Sequence, residues 1–432
     1  MFCWYRSKIV AYSAFILLVS CGGINRVSAQ SGVPELPESS VRISGFGTLG
    51  LTHSSGPDGW GYRRAISQPQ NDGGTRADTD SRLGVQLNYA PSVQFELVGQ
   101  LVATRRSSYA PLSDSIEWAF AAYRPQTDLT FRIGRLNIDA FLLANYRNVG
   151  FAYHFTRPPV DFYASLPHTL DGADISKTLQ FDDSLWRFKA YGGKSRSGDL
   201  SENARVAVKP VVGITTTRET SELTLRAGVA YSGLSDNPTV LKPIISGLES
   251  ISAIEIPEVA EQARQLQARL DNSNAHVVYY TLSARYEVSD WLWTFEVTKV
   301  KGHPSAHMTS GYAGAGKRFD AVTLFAGVSL ISSPNLPSFT PEWSSALTSV
   351  LGESEAQKIQ RLGSAAEFAI NKSGANQQSY SVGARWDFHS NMALKIQWDH
   401  IQIDHYGGRL WANATMASGN ANVTTVLLDF IF

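Results

Sequence analysis

Thiols are almost missing from this chain: its 432 residues include two cysteines, Cys3 and Cys21. Both precede the expected site of export processing, so the mature chain carries none. That excludes a disulfide framework, a cysteine nucleophile and a thiolate metal site. Charge is sparse and balanced, with 38 Lys plus Arg against 38 Asp plus Glu and 18% charged residues overall. A nucleic-acid binder carries a basic excess, and none is present, so no nucleic-acid partner is expected. His and Cys spacings typical of zinc sites are absent too, and neither metal nor cofactor is expected. Beyond the N-terminal segment there is no apolar run of the length a spanning helix needs, about 18 residues or more. If such a chain lives in lipid it must do so as a closed barrel, because unpaired strand edges cannot be accommodated there.

The N-terminus reads as an export signal. Arg6 and Lys8 precede the short apolar run from Ile9 to Val19, and Val27-Ser28-Ala29 places small residues where a signal peptidase reads them. Residues 1–29 are therefore expected to be removed, with 30–40 a short periplasmic lead. A competing reading is the lipobox-like Leu18-Val19-Ser20-Cys21, which would leave Cys21 acylated. The rest of the chain is rich in aromatics, 11% of residues with 10 Trp and 17 Tyr, and in glycine, 35 residues. Few charges with many aromatics and glycines fit a β protein that faces something apolar.

The dominant pattern is alternation with period two. Leu83, Val85, Leu87 and Tyr89 share one face, and Arg82, Gly84, Gln86 and Asn88 share the other. After Pro91-Ser92 the pattern resumes with Val93, Phe95, Leu97 and Leu101, and it recurs to the end of the chain. Segments run about 9 to 12 residues, close to what a tilted strand needs to cross a bilayer. Trp118, Trp291, Trp293, Trp386, Trp398 and Tyr89 are placed on apolar faces near strand ends, as suits a membrane interface. Sixteen strands are expected, beginning near Val41, Ser81, Val93, Ser115, Asp128, Lys177, Ser184, Val206, Glu222, His276, Trp291, Met308, Ala321, Gln377, Met392 and Ala421. Connections after even strands are short and those after odd strands mostly long. That parity points to an all-β, antiparallel up-and-down transmembrane barrel over residues 41–432, with periplasmic turns and external loops. Two long loops, Glu255 to Leu270 and Trp343 to Ile370, have helical spacing and are expected to cap the mouth.

Alternation assigns Arg42, Arg82, Arg132, Arg187, Lys189, Lys209, Arg226, Arg285, Arg385 and Lys395 to the lumen, with Glu96, Glu117, Glu287, Glu296, Asp387, Asp399 and Asp429. Charge on the lipid face of a barrel is costly, so charges collect inside, where they solvate a wet lumen and can filter ions. The connection after the fifth strand, residues 137–176, holds Phe141, Tyr146, Phe151, Tyr153, Phe155, Phe162 and Tyr163. It also holds Asp139, Arg147, His154, Arg157 and Asp161. A loop this apolar must pack against something, and the barrel interior is the nearest surface.

Three features together resemble the trimeric general porins of Gram-negative outer membranes. They are the opening Ile43-Ser44-Gly45-Phe46-Gly47, the Arg132-Ile133-Gly134-Arg135 run before the apolar loop, and a last strand ending on Phe432. The resemblance covers the layout from Val41 to Phe432. It implies an integral outer-membrane barrel whose third external loop folds inward and narrows a water-filled channel for small hydrophilic solutes and ions. It also implies a homotrimer in outer-membrane lipid, and recognition of Phe432 by the barrel-assembly machinery. The Pro-Glu-Phe-Gly-Gly run of many enteric third loops is absent, so only the position of the loop carries over. An alternative is a channel preferring sugars or other ligands. A barrel hydrolase is the rival from another class, resting on His303, Ser305, His307 and Ser310, but no supporting acid is adjacent and no Gly-x-Ser-x-Gly occurs. The stretch between Gln30 and Val41 is too short for the plug domain of an active transporter.

Overall fold

The computed structural model describes residues 39–432 except 108–109, 165–167, 200–203, 235–236, 274 and 334–340. The expected signal segment and both cysteines lie outside the described residues. Sixteen strands form one closed antiparallel sheet. The first eight are β1 Ser40–Ser55, β2 Arg82–Ala90, β3 Phe95–Thr104, β4 Ile116–Gln126, β5 Leu129–Asn137, β6 Thr169–Phe181, β7 Ser184–Asp199 and β8 Ala204–Glu219. The second eight are β9 Leu223–Leu234, β10 Ala275–Val288, β11 Trp291–Gly302, β12 Met308–Phe319, β13 Val322–Ser332, β14 Ala375–His389, β15 Met392–Gly408 and β16 Gly419–Ile431. A three-residue strand, Gly74–Arg76, adds to the upper part of β1 from within the first loop. The lower part of β1 pairs with β2 and its upper part with β16, which closes the ring and leaves no free edge.

Two-residue turns join many even strands to the next. Asp182, Ser289 and Asp320 take left-handed φ values of 50, 52 and 52° at the first turn position. Short polar residues tolerate that region, and it matches the twist of tight hairpins. The long connections all lie at the other rim, so the expected parity holds.

Outward side chains make an apolar belt. Leu83, Val85 and Leu87 on β2, Leu282 on β10 and Val382 on β14 are exposed. Near the short-turn rim stand Tyr123, Phe131, Trp291, Trp293 and Trp386. So large an apolar surface is a lipid face rather than a water face. Gly45 and Gly47 have a steric reason to be glycine. A Cβ at either would lie 2.2 Å from the ring of Phe432 or Phe430, which cross them from the neighbouring strand end.

The structure corrects several expectations. Trp118 faces inward and is buried: it lies opposite the inward Gln100, in unbroken register from Tyr123, and the shift just past it at Gln100/Leu101 lets the adjacent Glu117 face inward too. Lys209 faces out: it lies opposite the outward Gly233 where the β8–β9 register shifts. Strand β6 starts at Thr169 rather than Lys177, so the third loop ends at His168. Asp171, Gly172 and Asp174 read as a turn in sequence, but Arg135 and Arg132 across the ladder neutralise the two carboxylates. The first helical loop contains two helices, α1 Lys242–Ser252 and α2 Pro257–Leu270, of which only the second was expected. The other splits into α3 Trp343–Leu351 and α4 Glu353–Lys372 at Gly352, whose φ is 79°. The four helices share an apolar core of Leu248, Ala263, Leu266, Trp343, Leu347 and Ala366. Trp343 Nε1 donates to Gln262 Oε1 at 2.7 Å, tying the two loops together.

Candidate functional site

The third loop, as described over residues 138–164, enters the barrel. Its aromatic side chains cannot be satisfied in water, and they find partners on the wall. Phe162 is fully buried, edge-on to Phe141 at 5.6 Å and to Tyr312 of β12 at 5.5 Å. Phe155 packs edge-on to Phe325 of β13 at 5.4 Å.

An irregular backbone at this depth also has carbonyls that need donors. Wall cations supply them. Lys395 Nζ of β15 donates to the carbonyls of Gly150, Tyr153 and Phe155 at 2.7, 2.7 and 2.8 Å, and pairs with Asp429 of β16 at 2.9 Å. Arg385 Nη1 of β14 donates to the carbonyls of Phe151 and Tyr153, both at 2.8 Å. Arg82 of β2 donates through Nε to the Asn148 carbonyl at 2.7 Å and through Nη2 to Tyr153 Oη at 3.0 Å. Residue 150 must be glycine for the backbone to come this close, since a Cβ there would sit 2.0 Å from Asp429 Oδ1.

Side-chain charges of the loop are clamped as well. Arg157 lies between Asp80 at 3.0 Å and Asp399 at 3.6 Å, and donates to Tyr62 Oη at 2.7 Å and to Thr425. Asp139 accepts from Lys189 of β7 and, at 2.9 Å, from Arg226 of β9. Asp161 accepts from Ser329 Oγ at 2.5 Å and from Gln377. Glu296 of β11 accepts from the Leu142 amide at 2.8 Å, from Tyr312 Oη at 2.7 Å and from Tyr163. In a ring of sixteen, β7 and β15 are eight places apart. The loop is therefore held at diametrically opposite walls and crosses the lumen instead of lining one side of it.

Along the remaining flank the loop is partly exposed and the contacts are more polar. Residues Ala144 to Val149 face Gln100, Glu117, Trp118 and Asn137, enclosing a cavity of about 10 Å³. Arg147 pairs with Glu117 at 3.0 Å and Arg106 with the same carboxylate at 3.6 Å. These side chains keep partial exposure, 18% for Arg147 and 17% for Arg106. Below them Arg132 pairs with Asp174 of β6 through Nε at 2.9 Å, also partly exposed, while Arg187 has no ion pair among the described residues. On the opposite flank Tyr62, Arg157, Ser379 and Asp399 enclose a cavity of about 30 Å³.

Apart from Arg132 and Arg187 on the polar flank, the sequence-derived lumen residues fall into three groups. Arg82, Glu117, Asp139, Arg147, Arg157, Asp161, Lys189, Arg226, Glu296, Arg385 and Lys395 hold the loop. Glu96 pairs with Arg124 at 2.7 Å, and Arg285 pairs with Glu287, which also meets Arg318 at 3.0 Å; these line the lumen toward the short-turn rim. Arg42 is exposed at that rim, opposite Asn88. Alternation missed Asp80, Tyr62 and Gly150, which sit in loops where no period operates. Asp174 was hidden by the late start assigned to β6. For the hydrolase reading, Ser310 is fully buried on the inward face of β12.

A closed sixteen-strand barrel with an apolar belt and an inward third loop is the fold of the outer-membrane porins. Among solved structures, an anion-selective porin from Comamonas acidovorans matches with a TM-score of 0.50 at 11% identity, over 91% of this chain and 100% of that one. The outer-membrane channel DcaP of Acinetobacter baumannii matches with a TM-score of 0.49 at 11% identity, over 93% of this chain and 100% of that one. Salmonella typhi OmpF in complex with daunomycin matches with a TM-score of 0.47 at 10% identity, over 91% of this chain and 97% of that one. No family model matches the chain, and no curated protein does.

Proposed function

We propose that this chain is a narrow diffusion porin. Small hydrophilic solutes and ions pass down their gradients between loop residues Ala144–Val149 and the β3–β7 wall, with no cofactor and no covalent step. The observation that carries this reading is the clamp: the loop is bonded to opposite walls, and its partly exposed polar flank is on this side. Assembly as a homotrimer in outer-membrane lipid, with Phe432 read by the assembly machinery, goes with it. A sugar-preferring channel is less well supported, because Phe141, Phe151, Tyr153, Phe155 and Phe162 are buried against one another and the wall, not presented to a passing ligand. The buried Ser310 hydroxyl likewise favours a pore over a hydrolase.

Selectivity follows from the flank charges. Arg106, Arg132, Arg147 and Arg187 face Glu117 and Asp174, four cations against two carboxylates. A weak anion preference is expected, strongest at low salt, since fixed charges are screened over about 8 Å at physiological ionic strength. The Arg132→Ala/Arg187→Ala double variant should move the reversal potential toward cations, cutting the anion-to-cation permeability ratio by roughly half at low salt. Planar-bilayer recordings in a salt gradient test this. An unchanged reversal potential would remove these two arginines from the ion path.

A further inference from the structure

The outward face of the barrel is not electrically uniform. Near the long-loop rim, Lys194 of β7, Lys209 of β8 and Lys299 and Lys301 of β11 are all exposed. Register fixes their direction. Lys194 lies opposite Asp171, whose neighbour Arg135 shares the outward face of Ala119, and Lys301 and Lys299 lie opposite Val278 and Tyr280 on the lipid side of β10. Tyr231 and His276 stack at 5.8 Å on the strands between. With Arg135 the described residues of this outer rim carry five cations against one carboxylate, Asp171. None of the four lysines has an ion pair among the described residues.

The opposite rim over the same strands differs. Lys177, Arg218 and Lys317 stand there beside Asp182, Asp183, Glu222, Asp290 and Asp320 of the turns. Depth fits an interface. Lys301 and Trp291 are ten residues apart on one face of β11, roughly 34 Å along the strand and about 26 Å along the axis at a tilt near 40°. That is close to the apolar band of about 25 Å in outer-membrane barrels. Trp291 thus marks one edge of the band and Lys301 the other. Lys299, a pleat deeper, reaches the same level by extending its stem.

We propose that the β7–β11 rim is a docking surface for phosphate-bearing lipid head-groups of the outer leaflet. It rests on the outer-membrane reading above, with the long loops facing outward. Charge complementarity argues for this occupant: ammonium groups standing where head-group phosphates lie, on the side that must touch lipid. A protein partner at this face would bury four lysines that have no acids of their own.

Native mass spectrometry of the full mature barrel in non-ionic detergent tests it, titrated with diphosphoryl lipid A and separately with its dephosphorylated form. The experiment needs neither conduction nor cellular orientation, so a failed pore reading would not disturb it. The diphosphoryl form should bind, and the Lys209→Gln/Lys299→Gln/Lys301→Gln variant should weaken it about tenfold or more. Lys317→Gln on the other rim should leave it unchanged. A heat-dependent gel shift confirms that each variant is folded, and Lys299→Arg restores the charge as a second check. Equal binding of the two lipid forms, or equal affinity of the triple variant and the parent, would overturn the proposal.

Discussion

Excision of residues 141–163, with Ala140 joined to Ala164 through a short Gly-Ser linker, should raise single-channel conductance severalfold. The loop is bonded to opposite walls of the barrel and so crosses the lumen. Without it the limiting section becomes the barrel itself. The sheet should survive the operation, since no ladder hydrogen bond runs through the loop. The wall groups that grip it, Lys395, Arg385, Glu296 and Gln397, would meet water instead, which satisfies them at little cost. Conductance equal to that of the parent would mean that the constriction lies elsewhere.

A second large effect is expected from Lys395→Met. Lys395 and Asp429 are both fully buried, and the ammonium also holds three loop carbonyls. Methionine keeps the stem but leaves the buried Asp429 carboxylate with the Thr48 Oγ1 donor of β1, at 2.5 Å, and no cation. Breaking a buried pair from one side costs about 3–5 kcal/mol. The loss should appear as a lower temperature for the gel shift of the folded barrel and as noisier, larger current steps when the loop frees itself. The Lys395→Met/Asp429→Asn double variant should recover part of the stability, because it removes the stranded charge. It should not recover quiet currents, because the Gly150 and Phe155 carbonyls stay without the Lys395 donor and Tyr153 keeps only Arg385.

Much of this architecture was legible in the sequence because a barrel wall obeys a strict period. Strand number, the parity of the connections and the inward charges of β2, β7, β9, β14 and β15 all follow from alternation with a costly lipid face. Errors arose where the period breaks. The shift at Gln100/Leu101 lets Glu117 and Trp118 both face inward, and the shift beside Ser232 and Leu234 put Lys209 outside. The start of β6 was obscured because Asp171 and Asp174 look like turn residues until their arginine partners are seen. Within the third loop, composition showed that it must pack inside, yet not that it is clamped on both sides. That depends on Asp80, Tyr62 and Gly150, which reach it from other loops or act through backbone approach. Helix α1 went unread because its apolar positions are satisfied only by α2 and α4.

The most direct test of the central claim uses the scarcity of cysteine. Both natural cysteines precede residue 30, so in a barrel produced from Gln30 onward a single introduced thiol can be modified alone. Asn145→Cys places it on the polar flank of the loop, and Ser379→Cys places it behind the loop on the opposite flank. Each variant is recorded in planar bilayers before and after a charged, membrane-impermeant thiol reagent. The predicted result is small stepwise conductance in both, cut sharply by modification at Asn145 and left unchanged at Ser379. Bilayers that stay closed, or block at Ser379 without block at Asn145, would contradict a pore running along this flank.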